Sequence, residues 1–283
     1  MSSDRPSPEF TNELSYGTYL KVPELLALQH PQSRPEHHDE LQFIVVHQVY
    51  ELWFKLVLHE IDHAAEKIRA GEDADLREAI HALKRVHAIQ HVLLEQIHVL
   101  ESMRPQDFLA FRSPLKPASG FQSAQFRELE FALGMKDWKL YELCSAAPEQ
   151  RAKLKARYDA PDLVELLLAL LRRRGLAIQP DEVLRRCEAD AQPSLRAIAG
   201  VYADYARQPV LYELLECIVL LDELLLLWRR HHVMMVERHI GSRPGTGAPV
   251  NQGLDGARYL LSTLDKRAFR FLWQARNELQ EPR

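Results

Sequence analysis

The chain has 283 residues, of which 46% are hydrophobic, and a net charge of −4 at pH 7 with its 13 histidines neutral. This composition can bury a large core, and the lack of a basic block argues against nucleic acid as a partner. Three widely spaced cysteines predict neither a disulfide framework nor a cysteine zinc site, and they fit a reducing cytoplasm.

The predicted fold is entirely helical, since no stretch shows the alternating apolar and polar residues of a β-strand. Proline repeatedly stands where a run of helical period begins, the position in a helix that tolerates it best. Residues 1–13 read as loose, and the predicted helices are 22–29, 36–69, 74–102, 122–133, 138–145, 148–158, 161–174, 180–188, 193–206, 209–240 and 254–280. Loops rich in Gly, Pro and Ser are predicted at 112–121 and 241–253. We therefore expect one all-α domain with a bundle of long helices at its core.

The first long helix carries a histidine on its most apolar face. Helical spacing of three and four places Phe43, His47, Tyr50 and Phe54 on one side. Burying an imidazole costs free energy unless its nitrogens find partners. Taken alone, His47 reads as a core histidine bonded to a carbonyl, so any functional role depends on the rest of the chain.

Two metal-site motifs occur on the first two long helices. The sequence His59–His63 reads HEIDH and matches the helix-borne HExxH motif of zinc proteases, but no third ligand is obvious downstream. A Glu-x-x-His motif occurs on both helices and matches the di-iron sites of four-helix bundles. The same residues can equally be solvent-exposed helix faces with charge pairs one turn apart, so both interpretations are kept. The residues of the repeated motif and its candidate further ligands are Glu60, His63, Glu95, His98, Glu216 and Glu223.

The apolar run Leu211–Trp228 contains four acidic residues, which makes a membrane span very costly and predicts a buried helix instead. Further along this helix, His232 lies between Trp228 and Met235 on the apolar side. A neutral imidazole at such a position could be an axial ligand of haem iron, although a core histidine is the ordinary interpretation. His231 on the neighbouring face is the competing candidate.

Two more segments carry binding chemistry. The helix is predicted to end at Gly241 and to continue into Gly245-Thr246-Gly247, where backbone N–H groups and a hydroxyl can approach an anion. Phe108 and Arg112, four residues apart, share one face of a short helix, and arginine suits bidentate recognition of a carboxylate. Each residue alone has an ordinary structural explanation, so it is their combination that points to a function.

Together these segments resemble the tryptophan 2,3-dioxygenase family. The matches are spread in order from residue 16 to residue 247, which is far more specific than a short motif such as HExxH. The matching segments are Tyr16–Leu20, Asp39–Gln48, Glu51–Lys55, Phe108–Arg112, Ser119–Ser123, Arg230–Ile240 and Gly245–Gly247.

The resemblance implies a mostly helical fold whose long-helix bundle encloses a pocket for haem b. It implies cleavage of the indole C2–C3 bond of L-tryptophan by O2 to give N-formyl-L-kynurenine. The cysteine pattern and the acidic residues within Leu211–Trp228 are what predict a cytoplasmic location and no membrane partner. The resemblance also implies a homo-oligomer, usually a tetramer, in which residues 1–21 form an arm reaching a neighbouring subunit and residues 22–283 form the haem dioxygenase domain. A relative acting on a modified tryptophan, or a haem sensor without turnover, remains an alternative.

The resemblance also implies a role for individual residues. His232 is expected to bind the haem iron, and His47 is expected to be the catalytic-site histidine near the indole N–H. The residues expected to bind substrate are Phe43 and Phe108 as walls for the indole, Arg112 for the carboxylate, Thr246 for the carboxylate or the ammonium group, and Tyr16, Tyr19 and Leu20 from a neighbouring subunit. The chain departs from the family pattern at Ala248, which follows Gly-Thr-Gly, and in the doublet His231-His232.

Overall fold

The computed structural model describes residues 14–143, 147–187, 189–246 and 260–280. No strand occurs in these ranges, which confirms the all-α prediction. The α-helices are α1 (Tyr16–Leu20), α2 (Val22–Leu25), α3 (His38–Ala70), α4 (Asp73–Glu101), α5 (Pro105–Arg112), α6 (Ala124–Ala132), α7 (Trp138–Leu143), α8 (Pro148–Asp159), α9 (Leu163–Arg173), α10 (Asp181–Arg186), α11 (Gln192–Ala203), α12 (Pro209–Ile240) and α13 (Arg270–Ala275). Short 3₁₀ turns lie at Ser113–Leu115, Gly120–Gln122, Ala189–Ala191 and Arg276–Glu278.

Three long helices form the centre of the molecule, with α4 packed along both α3 and α12. A two-residue turn at Gly71 and Glu72 reverses the chain between α3 and α4. Gly71 has φ of 85°, and a Cβ there would come within 2.7 Å of the Arg173 guanidinium. Glycine is therefore favoured at this turn by its backbone conformation, since the close contact involves only the flexible end of the Arg173 side chain.

The core consists of aliphatic side chains from the facing stripes of these helices. Ile61, Leu83 and Leu214 are fully buried, and α9 adds a nearly continuous run of buried leucines beneath α3. Each such side chain stabilises the fold by about 1.5–3 kcal/mol through its burial. At one end of α3 the core becomes aromatic instead of aliphatic, and this end holds the candidate site.

One described helix, α3, is long and apolar enough to cross a bilayer by length and composition alone. Its core face packs on α4, α6 and α9, and it carries Glu40 and Glu60 as buried acidic residues. Glu60 accepts a hydrogen bond from Arg85 at 2.7 Å, and Glu40 accepts bonds from Gln32 and Ser33. The central helix of a bundle meets the same length criterion, so this helix is weak evidence for a membrane.

Most predicted helices occur within a few residues of their expected bounds, but both ends of the chain differ. The predicted helix 22–29 is wrong in extent: helix begins at Tyr16, and Lys21, with φ of 55°, separates α1 from α2. The predicted tail helix 254–280 is not continuous, because the Asp222 carboxylate accepts the backbone N–H groups of Ala268 and Phe269 and fixes a turn there. Predictions for 1–13, 144–145, 247–253 and 254–259 fall outside the described residues.

Candidate active site

A cavity of about 280 Å³ lies between α3, α5, α6 and α12. Its surface is mostly apolar, with a few polar groups that converge on it. One side is formed by Phe43, His47, Tyr50 and Phe54, the four α3 residues that helical spacing groups together. An apolar concavity with few polar groups is the usual form of a small-molecule site.

Aromatic rings build one wall of this cavity. The ring centroid of Phe43 lies 4.1 Å from that of His47 and 5.5 Å from that of Phe108. Behind them, Phe111 is fully buried and meets Phe108 nearly edge-on at 88°. Because Phe111 locks the two phenylalanine rings, the wall is a rigid surface suited to a flat aromatic ligand.

The His47 imidazole has a defined tautomer. Its Nδ1 lies 2.7 Å from the carbonyl oxygen of Phe43, one turn earlier on α3. A carbonyl oxygen only accepts, so Nδ1 carries the proton and Nε2 is left with a lone pair. Desolvation by the surrounding protein atoms lowers the pKa of His47 and keeps it neutral at pH 7, although the side chain itself is exposed where it lines the open cavity. His47 therefore offers one hydrogen-bond acceptor to the cavity.

His232 contributes a second neutral imidazole, from α12. Its ring stacks on Trp228 at a centroid distance of 5.1 Å and an angle of 14°. Burial, assisted by the charge of a protonated His47, lowers the pKa of His232 to about 4. The imidazole makes no hydrogen bond to any residue that the structure describes, although it lines the cavity. A neutral, uncommitted imidazole facing a cavity is what a metal ion in that cavity requires.

His231 takes a different direction from its neighbour. Successive residues on a helix differ by about 100° in direction, and the His231 side chain does not line the cavity. Its Nε2 lies 3.4 Å from Glu101 Oε1, and its ring centroid lies 4.8 Å from that of His98. The structure thus puts the two members of the doublet in different environments.

Arg112 and Thr246 both line the cavity, at its loop-covered side. The Arg112 guanidinium donates to the carbonyl of Pro244, and the Thr246 hydroxyl donates to the carbonyl of Ala118 at 2.5 Å. These two bonds join the segment after α5 to the segment after α12. Burial, together with the nearby Arg243, lowers the pKa of Arg112. A partly desolvated guanidinium beside a second cation makes this side of the cavity attractive to an anion.

A buried group of charged residues also lines the cavity, and sequence reasoning missed it. Arg229 donates to Glu130 at 2.8 Å, and Glu130 also accepts from Arg127, three residues earlier on α6. All three side chains are at most 6% exposed. The spacing of Arg127 and Glu130 was a weak signal of pairing, but no sequence pattern links α6 to Arg229.

Neither metal motif of the first two helices assembles a site. Glu60 is paired with Arg85, and His98 Nδ1 lies 2.8 Å from Glu101, which belongs to neither motif. Within the described ranges, the one group of three His, Cys, Asp or Glu side chains close enough to hold a metal ion is His98, Glu101 and His231. The HExxH and di-iron alternatives therefore have no geometric support in the described structure.

The N-terminal candidates lie apart from the cavity of their own chain. Tyr16, Tyr19 and Leu20 are 78%, 69% and 44% exposed. Helix α1 contains no buried residue, and α2 is its principal contact. Two exposed tyrosines on a helix without a buried residue form a surface available to another molecule.

Comparison with known proteins agrees with this arrangement. A family model described as tryptophan 2,3-dioxygenase matches residues 1–183 and 142–279. A tryptophan 2,3-dioxygenase from a Nocardioides species is 46% identical over 94% of this chain and 95% of its own length. Those of Caulobacter vibrioides and Herpetosiphon aurantiacus are 44% and 42% identical, each over 94% of this chain and over 99% and 98% of their own lengths. The chain belongs to the tryptophan 2,3-dioxygenase family.

Proposed function

We propose that this protein is a haem-dependent dioxygenase that cleaves the indole C2–C3 bond of L-tryptophan with O2 to give N-formyl-L-kynurenine. One observation carries the proposal beyond family membership. A single cavity brings together the uncommitted imidazole of His232, the acceptor nitrogen of His47, the phenylalanine wall and Arg112. These are a metal ligand, a partner for an indole N–H, an aromatic surface and a partner for a carboxylate.

The residues present fit a haem group. His232 is neutral and makes no hydrogen bond to a described residue, so its imidazole would be free to bind the haem iron. Arg127 and Arg229, with Glu130 between them, give the cavity a net positive charge that suits haem propionates. When bound, the haem supplies the activation of O2, chemistry that no amino-acid side chain provides.

The side chains of the chain position the substrate. His47 Nε2 accepts the indole N–H and so fixes the rotation of the indole ring, while Phe43 and Phe108 confine it in a plane. Since its ring is neutral and its Nδ1 is held by Phe43, His47 orients the substrate rather than acting as a strong base. Holding the indole C2–C3 bond in one position, with water excluded by the aromatic wall, is the protein's contribution to the rate.

The loop-covered side recognises the amino-acid part of the substrate. Arg112 pairs with the carboxylate. The Thr246 hydroxyl proton is committed to the Ala118 carbonyl, so its oxygen is an acceptor and suits the substrate ammonium group. A site whose polar groups are left unpaired by the wrong ligand discriminates by about 10⁴-fold or more, so indoles lacking these groups are poor substrates.

The functional unit is proposed to be a homo-oligomer, a tetramer, in which the arm of residues 1–21 completes the site of a neighbouring subunit. Support comes from the exposure of Tyr16 and Tyr19 and from the absence of any buried residue in α1. Residues 22–283 then form the dioxygenase domain. A cytoplasmic location fits the free thiols of Cys187 and Cys217.

The test is an absorption spectrum of the purified, dithionite-reduced protein in anaerobic buffer, before and after L-tryptophan and then air. We expect an intense haem band and then the absorbance of formyl-kynurenine. A haem band without product would replace the proposal with a different indole substrate or with a sensor. Absence of a haem band after haem supplementation would refute the cofactor.

A further inference from the structure

We propose that His98, Glu101 and His231 form a zinc site that joins α4 to α12 outside the active-site cavity. None of the three side chains lines that cavity, and none has a part in the proposed reaction. The group combines two imidazoles and one carboxylate, which is a frequent ligand set for Zn²⁺ in proteins.

The distances bring the three ligands close to coordination geometry. The Glu101 carboxylate lies between the two histidines, with Oε2 2.8 Å from His98 Nδ1 and Oε1 3.4 Å from His231 Nε2. The potential ligand atoms all lie within 4.8 Å of one another. Bonds of about 2.0–2.2 Å to a tetrahedral ion put ligand atoms about 3.4 Å apart. A contraction of about 1.4 Å at the widest separation, 4.8 Å, therefore closes the site.

The three ligands differ in solvent exposure, so that two are held in place while the third leaves a path for the ion. The Glu101 and His231 side chains are 15% and 22% exposed and are fixed by their helices, while His98 is 57% exposed. Rotation of the exposed His98 side chain would shorten the distances between the ligand atoms, and its exposure gives the ion a path from solvent. Three protein ligands leave a fourth position for water, as in an open zinc site.

The ligand types select among cations. Imidazole suits late first-row ions such as Zn²⁺, whereas Mg²⁺ and Ca²⁺ prefer oxygen ligands. A bound Zn²⁺ would link the last turn of α4 to α12 at the residue that precedes His232. It would therefore stabilise the contact between two central helices at the point where the proposed haem ligand is mounted.

The two histidines of the HExxH motif provide a control for Zn²⁺ binding. His59 and His63 are one turn apart on α3 and both exposed, so they could bind Zn²⁺ weakly. Among the described residues no third ligand joins them in a group close enough for a metal ion. The variant His63→Ala removes this pair and leaves the proposed three-ligand site intact.

The experiment is titration calorimetry of tag-free haem-loaded protein, stripped of adventitious metal by chelator, with Zn²⁺ and separately with Mg²⁺. We expect about one tight Zn²⁺ site per chain and no such Mg²⁺ site. The variants His98→Ala and Glu101→Gln should weaken Zn²⁺ binding at least tenfold, while His63→Ala should not. Zn²⁺ in excess should also raise the thermal midpoint of the unmodified protein by about 3 °C and leave that of His98→Ala unchanged.

Two outcomes would overturn the proposal. The first is the absence of stoichiometric Zn²⁺ binding by the unmodified protein. The second is tight binding that survives both His98→Ala and Glu101→Gln. The haem spectrum of each variant shows whether the fold is retained, because His98 and Glu101 do not contact the cavity. The result is independent of the reaction, since binding is measured without substrate.

Discussion

Replacing Arg112 by alanine should remove the main attraction for the substrate carboxylate. Truncating one partner of a hydrogen-bonded charge pair costs about 2–5 kcal/mol in a buried interface. Arg112 is only half-buried, so the lower part of this range applies. A loss of about 2–3 kcal/mol corresponds to a rise in KM of roughly 30- to 150-fold for L-tryptophan.

The assay is the initial rate of formyl-kynurenine formation as a function of L-tryptophan concentration. Two further variants are measured for comparison, one conservative and one away from the site. Arg112→Lys keeps the charge but loses the planar donor pair, so its KM should fall between those of the unmodified protein and Arg112→Ala. Arg104→Ala removes an exposed arginine at the start of α5 that pairs with Asp107, and its KM should not change.

A ligand without a carboxylate provides the complementary comparison. Tryptamine carries the indole and the ammonium group, so its binding, measured by competition, should be similar in the unmodified protein and in Arg112→Ala. An unaltered KM for L-tryptophan would refute the role of Arg112. Equal losses for L-tryptophan and tryptamine would show that Arg112 acts through its bond to Pro244, by ordering the loop, and not on the carboxylate.

The other predictions concern the histidines and the arm. His47→Ala should lower kcat and raise KM yet leave measurable turnover with full haem content, and a complete loss of activity would contradict an orienting role. His232→Ala should abolish stable haem binding, measured by absorbance after gel filtration, whereas His231→Ala should retain haem; the reverse result would assign the iron to His231. Deleting residues 1–21 should lower kcat/KM without lowering the thermal midpoint of the core, and normal activity would exclude the arm from the site. In haem-free protein, His232 has a folded-state pKa of about 4 against 6.5 for an ordinary histidine, so the unfolded chain binds more protons between these values. Stability should therefore fall as the pH drops from about 6.5 to 4, by up to about 3 kcal/mol from this residue, and urea unfolding should show a smaller pH dependence in His232→Phe.

The features predictable from the sequence are those that depend on local periodicity. The three long helices and the shared face of Phe43, His47, Tyr50 and Phe54 follow from apolar spacing, because a helix 30 residues long repeats its pattern many times. The end of α3 at Gly71 follows from the conformational freedom of glycine. Arg112 and Phe108 likewise share the face that their spacing predicts, because α5 is helical over both residues.

The features that the sequence did not predict depend on contacts between distant segments. The tail is interrupted because Asp222, in the middle of α12, accepts two backbone N–H groups near residue 268. The charged lining of the cavity exists because Arg229 meets Glu130 from a different helix. Both are buried polar interactions whose partners lie dozens of residues apart, and no spacing rule along one helix reveals them.

The histidine doublet shows how such contacts decide a functional assignment. Both His231 and His232 adjoin the apolar stripe of α12, so periodicity alone leaves the metal ligand ambiguous. Arg229 donates a hydrogen bond to Glu130 on α6, while His231 contacts Glu101 at the end of α4. These polar contacts on either side of residue 230 accompany a rotation of α12 that turns His232 toward Trp228 and the cavity. The polar contacts of its neighbours on other helices thus agree with the buried apolar face of α12 in turning His232 toward the cavity.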